Sequence, residues 1–282
     1  MLVWRKLSSA KWEDAWLERL RFLNPQQIVI AAFAGAKTIR IEAYALTKSD
    51  AKRLLARFGG QVRDLKNRDF VAENAPPSPP LNIRGRLLIV RSEKDRQKNA
   101  LQFAHGDVLV IPAAMAFGTG DHATTSTCLR LLCDAATNRR PPWDMLDLGT
   151  GTGILAIAAR ALGARHADAF DFDSACIRTA RSNVALNNVK LRSIQRVDVT
   201  KWQPTRRWEV VTANLYSEIL IRASPQICDA VAPAGRLVLS GIMREQEKSV
   251  LAAFRQNFAV ERIVRRGKWV AISASANGEK SH

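Results

Sequence analysis

Three glycines separate an apolar run from a second apolar run in MLDLGTGTGILAI, residues 145–157. A strand is expected to end just before Gly149, and a helix is expected to begin just after Gly153, which would let the helix pack close to the strand. Gly151, between them, leaves the backbone open to a ligand. Because open α/β sheets bind ligands at the carboxyl ends of their strands, this turn predicts a binding site for a phosphate or a small molecule.

A carboxylate follows the next predicted strand. Asp171 lies in AFDFD, 22 residues after Gly149, where it can accept hydrogen bonds from both hydroxyls of a ribose. Dinucleotide-binding and S-adenosylmethionine-binding folds share this arrangement. Two details favour the methyl donor: the glycines run G-x-G-x-G rather than G-x-G-x-x-G, and Asp147 before the turn would repel a pyrophosphate but could face a sulfonium or amino group.

A polar residue ends the fourth predicted strand of the sheet. Asn214 follows an apolar run in VTANLY, residues 211–216. Its side-chain carbonyl can accept a hydrogen bond from a substrate amine and so aim the nitrogen lone pair at a methyl group. We therefore predict that Asn214 is the catalytic residue and also contacts the cofactor.

A second glycine stretch, MAFGTGDHATTST at residues 115–127, precedes the first strand of that sheet. Gly118 and Gly120 predict a loop, and a helix is expected to begin after it, with Thr125 in its first turn. His122 is interpreted as a residue that orders the loop.

Taken together, FGTG-x-H-x-TT, DLGTGTGILAIAA and ANL resemble the ribosomal protein L11 methyltransferase (PrmA) family of protein-lysine methyltransferases. The resemblance implies a seven-stranded class I methyltransferase (Rossmann-like) sheet and S-adenosylmethionine as cofactor, with the first loop folded over the second, so that both glycine stretches form one site. By position, Thr125, Gly149, Asp171 and Asn214 match the family's donor-binding residues. It further implies N-methylation of lysine or the N-terminal amine of ribosomal protein L11 in the cytoplasm.

Alternating elements must position these residues. From residue 122 onward helices and strands alternate, which predicts an α/β fold with a mostly parallel sheet. Residues 91–99 are expected to be a charged loop between two strands, and residues 216–231 one helix. Residues 81–282 are thus the predicted methyltransferase domain.

The N-terminal part predicts a smaller domain. Residues 1–66 read as β-α-β-β-α-β, typical of an α+β (ferredoxin-like) sandwich. Residues 67–80 end in NAPPSPP, whose prolines predict a linker. The resemblance assigns recognition of the protein substrate to residues 1–66.

Composition limits the partners. The net charge is +17, and residues 1–100 hold 20 Lys and Arg against 10 Asp and Glu, so weak contact of the N-terminal domain with a ribosome or RNA is expected. No run of 18 apolar residues predicts a membrane span, and no signal peptide is recognised. Four cysteines without a C-x-x-C pair predict buried free thiols rather than a metal site or disulfides.

Three other functions compete with a protein methyltransferase. A nicotinamide-dependent dehydrogenase could use His122, but its glycine spacing would differ. An RNA methyltransferase of the same fold, or one acting on another protein, stays open, although the predicted N-terminal strands lack the aromatic residues that stack on bases. A non-enzymatic binding module would not need the predicted contact of Asn214 with a substrate amine.

Overall fold

The computed structural model describes residues 2–9, 12, 15–16, 19–20, 22–23, 27–32, 38–64, 79–101, 103, 107–112, 120, 122–137 and 142–277. The chain divides into two units, Met1–Pro76 and Pro77–His282, each with its own buried core. The division falls within the predicted linker 67–80, of which only residues 79–80 are among those described.

The first unit contains strands β1 (Leu2–Ser9), β2 (Ile28–Ala32), β3 (Thr38–Leu46) and β4 (Gln61–Asp64), with helix α1 (Lys48–Phe58) between the last two. Its described strands form an antiparallel sheet in the order β2–β3–β1–β4. Of the predicted first helix, positions 15, 16 and 19 are described as helical. The described elements follow the predicted β-α-β-β-α-β order.

Helix α1 covers one face of this sheet. Its N-terminus is held by a capping box between Thr47 and Asp50, and it ends at Gly59. Leu54 of the helix packs with Trp4 of β1 and neighbouring apolar residues in one buried cluster. The opposite face carries exposed apolar side chains, since Leu7 is 66% exposed.

The second unit holds a large and a small sheet. The strands of the small sheet are β5 (Leu81–Ile83), β6 (Leu87–Val90) and β7 (Asp107–Val110); those of the large sheet are β8 (Asp144–Leu148), β9 (His166–Asp171), β10 (Ser193–Arg196), β11 (Trp208–Asn214), β12 (Val231–Met243), β13 (Phe258–Arg266) and β14 (Trp269–Ala276).

The large sheet lies wholly within the continuously described residues 142–277 and has seven strands in the order β10–β9–β8–β11–β12–β14–β13. The first five are parallel, and β14 lies antiparallel between β12 and β13. A dinucleotide-binding sheet would continue in parallel to the order 3-2-1-4-5-6. The predicted seven-stranded methyltransferase sheet is confirmed.

Helices cover both faces of this sheet, so the central strand β8 is buried along its whole length. The helices of the unit are α2 (Glu93–Ala100), α3 (Ala123–Thr137), α4 (Ile154–Ala161), α5 (Ser174–Leu186), α6 (Ser217–Arg222), α7 (Ser224–Ala230) and α8 (Glu247–Phe254). One buried cluster contains α3 and α4, and another contains α6 to α8.

Three sequence expectations about these elements were wrong. Residues 93–100 form helix α2, capped by Ser92, rather than a loop; it buries no residue, so no apolar periodicity marked it. Residues 81–90 contain two short strands joined at Arg84 and Gly85, both at positive φ. The helix expected over 216–231 is interrupted at Ala223, because Pro225 lacks the N–H that a continuous helix needs.

Three arginines pair with one buried carboxylate at the amino end of β8. Asp144 is fully buried and accepts hydrogen bonds from Arg165 at 3.1 Å, Arg192 at 2.8 Å and Arg206 at 2.6 Å. Burial raises the pKa of this carboxyl, but the three arginines outweigh burial and lower it to about 2. The cluster lies at the opposite end of the strands from the glycine turn and is structural.

Two further expectations can be compared with the described residues. None of their helices has both the length and the hydropathy to cross a bilayer. The cysteines are free, but only Cys128 and Cys133 are buried; Cys176 and Cys228 are half-buried.

Candidate active site

The glycine turn after β8 has the backbone conformation that its composition predicted. Gly149, Gly151 and Gly153 have φ values of 72°, 53° and 81°, which favour glycine. A Cβ atom at Gly149 would lie 2.2 Å from Leu215 Cδ2, and one at Gly153 would lie 3.2 Å from Ala180 Cβ. Gly153 therefore permits close packing against helix α5. The sequence had instead predicted that this glycine lets the following helix pack close to the strand.

Asp171 lies beside this turn. Its Oδ2 accepts a hydrogen bond from the Gly151 N–H at 2.8 Å, and its Oδ1 accepts one from Asp173 N–H at 2.9 Å. The Cys176 side chain also hydrogen-bonds this carboxylate. A carboxylate has about four lone-pair positions, so it can still accept a hydrogen bond from a ligand hydroxyl. The side chain is half-buried at the carboxyl end of β9. The predicted pairing of turn and carboxylate is thus present in space.

Asp147 differs from the expectation that it would face a ligand. Its side chain is fully buried and accepts hydrogen bonds from Thr150 Oγ1 at 2.6 Å and Thr212 Oγ1 at 2.7 Å. Burial raises the pKa of this carboxyl to about 6, although both threonines lower it. Asp147 therefore supports the glycine turn from within the protein.

Asn214 and Thr125 meet across the site. Asn214 Nδ2 donates to Thr125 Oγ1 at 3.4 Å. Asn214 Oδ1 is buried and accepts no hydrogen bond among the described residues. Since an unpaired buried carbonyl costs free energy, this oxygen is a candidate to receive an N–H from a bound molecule.

Two residues that were not identified from the sequence, Ser240 and Gly241, contribute to the packing around Asn214 and Thr125. Ser240, at the adjacent position of β12, is fully buried and donates from Oγ to the Thr124 carbonyl at 3.1 Å. Gly241, with φ of 83°, lies so close to Leu215 that a Cβ would be 2.4 Å from its carbonyl oxygen. The apolar flanks of LSGIM contain no polar pattern that would have revealed the serine's partner.

The start of α3 is also ordered locally. His122 Nδ1 lies 2.7 Å from Thr124 Oγ1, and its ring packs edge-on against Trp269 at 5.1 Å between centroids. Burial, aided by the positive charge of Lys268, lowers the pKa of His122. These contacts order the start of α3; the loop before it lies outside the described residues except for Gly120, so the role of His122 in that loop stays a prediction.

The described parts of the two glycine stretches lie close together. A Cβ at Gly120 would lie 3.4 Å from Ile154 Cδ1, at the start of the helix that follows the glycine turn. Gly118 lies outside the described residues. Asp198, two residues after β10, accepts hydrogen bonds from Thr200 N–H and Oγ1 in a local turn.

This combination of sheet order, glycine turn and acidic residue after the second strand defines the class I methyltransferase fold. The chain belongs to the ribosomal protein L11 methyltransferase (PrmA) family, whose model matches residues 4–277. The resemblance seen in the sequence is therefore confirmed.

Relatives and a solved structure agree with this family. A ribosomal protein L11 methyltransferase of Heliobacterium modesticaldum is 36% identical over 61% of this chain and 54% of its own length. One from Pseudomonas putida is 36% identical over 76% of this chain and 70% of its own length. The ribosomal protein L11 methylase of Lactobacillus delbrueckii subsp. bulgaricus superposes with a TM-score of 0.62 at 27% identity, covering 70% of this chain and 98% of that one. The chain thus spans little more than half the length of some relatives.

Proposed function

We propose that this chain is an S-adenosylmethionine-dependent methyltransferase that N-methylates lysine, or the N-terminal amine, of ribosomal protein L11. Family membership and the class I fold support the proposal. The single observation that carries the chemistry is the buried Oδ1 of Asn214 at the carboxyl edge of the sheet, which has no partner among the described residues.

The residues around the turn fit this donor. Asp171 keeps lone pairs for ribose hydroxyls while two backbone N–H groups fix its orientation. Gly149 and Gly151 leave the backbone free of side chains at the edge of the site, and Thr125 borders it from α3. When bound, the donor would supply a methyl group attached to a positively charged sulfur.

Catalysis by these residues is chiefly alignment. Asn214 Oδ1 accepts one N–H of the neutral amine and so sets the direction of the nitrogen lone pair. Thr125 Oγ1 holds the Asn214 amide in place. Such positioning can supply a large part of a rate enhancement. Enclosure of the amine disfavours its ammonium form, which lowers the pKa of a substrate lysine.

We assign substrate recognition to residues 1–66, with 67–80 as the linker and 81–282 as the methyltransferase domain. Exposed Leu7 and Val29 lie on the sheet face opposite α1, alongside basic Arg5 and Arg40, and such a mixed face suits a protein partner. Glu42 pairs with both arginines and offsets one of their two charges, and the remaining charge would allow weak contact with ribosomal RNA. We place the enzyme in the cytoplasm, where ribosomal proteins are made.

Labelling tests the proposal directly. The purified chain is incubated with methyl-tritiated S-adenosylmethionine and recombinant L11, and the product is mapped by mass spectrometry. We expect methyl groups on lysine or the N-terminal amine, and labelling about 100-fold slower after Asn214→Ala. A second incubation uses ribosomes in place of L11. If nuclease releases the tritium label and protease does not, the methylated substrate is RNA.

A further inference from the structure

A cleft rich in arginine lies between α3 and β13, apart from the glycine turn. Its volume is about 310 Å³, and its lining includes Arg84, Arg130, Arg262 and Arg266. The remaining lining side chains are Thr127, Leu131 and Val264. We call this feature the arginine cleft.

The charge of the arginine cleft is only partly neutralised. Asp134 pairs with Arg84 at 2.8 Å and with Arg262 at 3.0 Å, so one carboxylate serves two guanidinium groups. Arg130 donates to the Asn82 carbonyl at 3.4 Å, and Arg266 donates to Ser126 Oγ at 3.0 Å. Neither of these two arginines forms a salt bridge with a carboxylate among the described residues. The cleft therefore keeps an excess of positive charge that an anion can neutralise.

Two regular elements give the arginine cleft an elongated form. Arg262, Val264 and Arg266 alternate along β13 and therefore share one face of the strand. At roughly 3.4 Å per residue, the two arginines are separated by about 14 Å along the strand. On α3, Thr127, Arg130 and Leu131 have the three- and four-residue spacing of one helix face. A row of this length can hold more than one anionic group.

We propose that the arginine cleft binds the phosphate backbone of RNA without reading its bases. Guanidinium groups match phosphate oxygens with paired hydrogen bonds, and the row is longer than a single phosphate requires. Among the described residues that line the cleft, none has an aromatic side chain on which a base could stack. The inference rests on the proposed function, because a ribosomal protein substrate is assembled on RNA. It adds an RNA contact on the methyltransferase domain to the weak contact proposed for the N-terminal domain.

The first test measures RNA binding alone, without methyl donor or L11. Fluorescence anisotropy follows a labelled single-stranded RNA of mixed sequence bound by the full chain over a range of KCl concentrations. Arg130→Gln with Arg262→Gln should weaken binding about tenfold. It should also reduce the slope of log K against log salt by about 1.4, since each lost phosphate contact removes about 0.7.

A matched control separates this site from general charge. The double variant Arg222→Gln with Lys248→Gln also removes two positive charges, but from exposed positions on α6 and α8. The control should bind RNA nearly as well as the parent chain. Equal losses in the two double variants, both folded by circular dichroism, would overturn the proposal.

Asp134→Asn gives a test in the opposite direction. Because it removes the carboxylate that competes for Arg84 and Arg262, RNA affinity should increase by about threefold. An unchanged or lower affinity contradicts the proposal. Tripolyphosphate that displaces RNA completely at an equal concentration of phosphate groups would identify a small-anion site and also overturn it.

Methylation of free L11 is then measured separately on the same variants and should be unchanged. If the chain binds RNA through the cleft but methylates no L11, the proposed function fails while RNA binding stands. If L11 is methylated and the cleft variants bind RNA normally, only the present inference fails.

Discussion

The side-chain amide of Asn214 donates to the hydroxyl of Thr125 at 3.4 Å, and this contact joins the end of β11 to the first turn of α3. It links two motifs that are 89 residues apart in the sequence. The amide nitrogen is thereby engaged, while the amide oxygen is buried and has no hydrogen-bond partner in the described part of the chain. The contact thus fixes which of the two amide atoms is available to a substrate.

Removal of the Asn214 amide tests its catalytic role. Asn214→Ala should lower kcat by about 100-fold, or about 2.7 kcal/mol, while donor affinity changes by less than threefold, because the lost contact orients the acceptor. Steady-state kinetics with L11 and calorimetry with the donor measure the two effects. Thr125→Ser, which keeps the hydroxyl, is the control and should retain most activity. Turnover within about twofold of the parent chain would reduce Asn214 to a turn residue.

Asp171 should determine donor affinity. Asp171→Ala removes the acceptor for ribose hydroxyls and leaves the Gly151 N–H without its partner, so binding should weaken by about 1–3 kcal/mol. Isothermal calorimetry with S-adenosylmethionine measures this loss. Asp173→Ala is the matched control, because it removes a nearby carboxylate that caps α5 through Ala175 N–H. Equal losses of affinity in both variants would show that charge alone matters.

Glycine substitutions can separate backbone strain from close contact. Gly241 and Gly267 both have positive φ, but a Cβ at Gly241 would lie 2.4 Å from Leu215 O, whereas nothing lies within 4 Å of one at Gly267. Gly267→Ala should cost about 1–2 kcal/mol from conformation alone. Gly241→Ala should cost more, about 3 kcal/mol or above, and reduce activity through displacement of Leu215. Urea unfolding checks both values, and equal costs would contradict the contact argument.

The local part of the site was readable in the sequence because one continuous segment encodes it. Strand, glycine turn, helix and Asp171 follow one another, and strand pairing brings Asp171 to Gly151 without further information. The parallel sheet was predictable for the same reason, from alternating apolar runs.

Contacts between distant segments were not readable in this way. Ser240 and Thr124 are 116 residues apart, and nothing in either segment specifies the other. The antiparallel insertion of β14 between β12 and β13 likewise depends on tertiary pairing. Asp147 was misjudged because its position beside the turn did not reveal that Thr150 and Thr212 enclose its carboxylate.

Asp147 should make stability depend on pH. Its pKa of about 6 in the folded chain exceeds the usual 3.8, so the folded state is favoured below the usual pKa and loses that advantage as pH rises through 6. Asp147→Asn removes this dependence. The difference in unfolding free energy between variant and parent should therefore shift in favour of the variant by about 1.4 kcal/mol between pH 5 and pH 8.

Asp144→Asn is the control for this measurement, since the pKa of Asp144 is lowered to about 2. Its stabilising contribution is present above the usual pKa and is lost only as pH falls toward 2, so its difference from the parent should be nearly constant between pH 5 and pH 8. Urea unfolding at both pH values measures the two variants. A constant difference for Asp147→Asn as well would contradict the assigned shift.

The open sheet face of the first unit should govern use of the protein substrate. Leu7→Asp places a charge at the 66% exposed position on the face opposite α1. If that face binds L11, KM for L11 should rise about tenfold, about 1.4 kcal/mol, because the apolar contact is lost and a buried charge is introduced. Donor affinity should stay unchanged, since residues 81–282 supply the donor site.

Leu55→Asp is the matched control: Leu55 is 40% exposed on α1, on the other side of this unit. Kinetics with native L11 and calorimetry with the donor measure the two variants, after circular dichroism has verified that both fold. Equal KM values for Leu7→Asp and the parent chain would remove this face from substrate recognition.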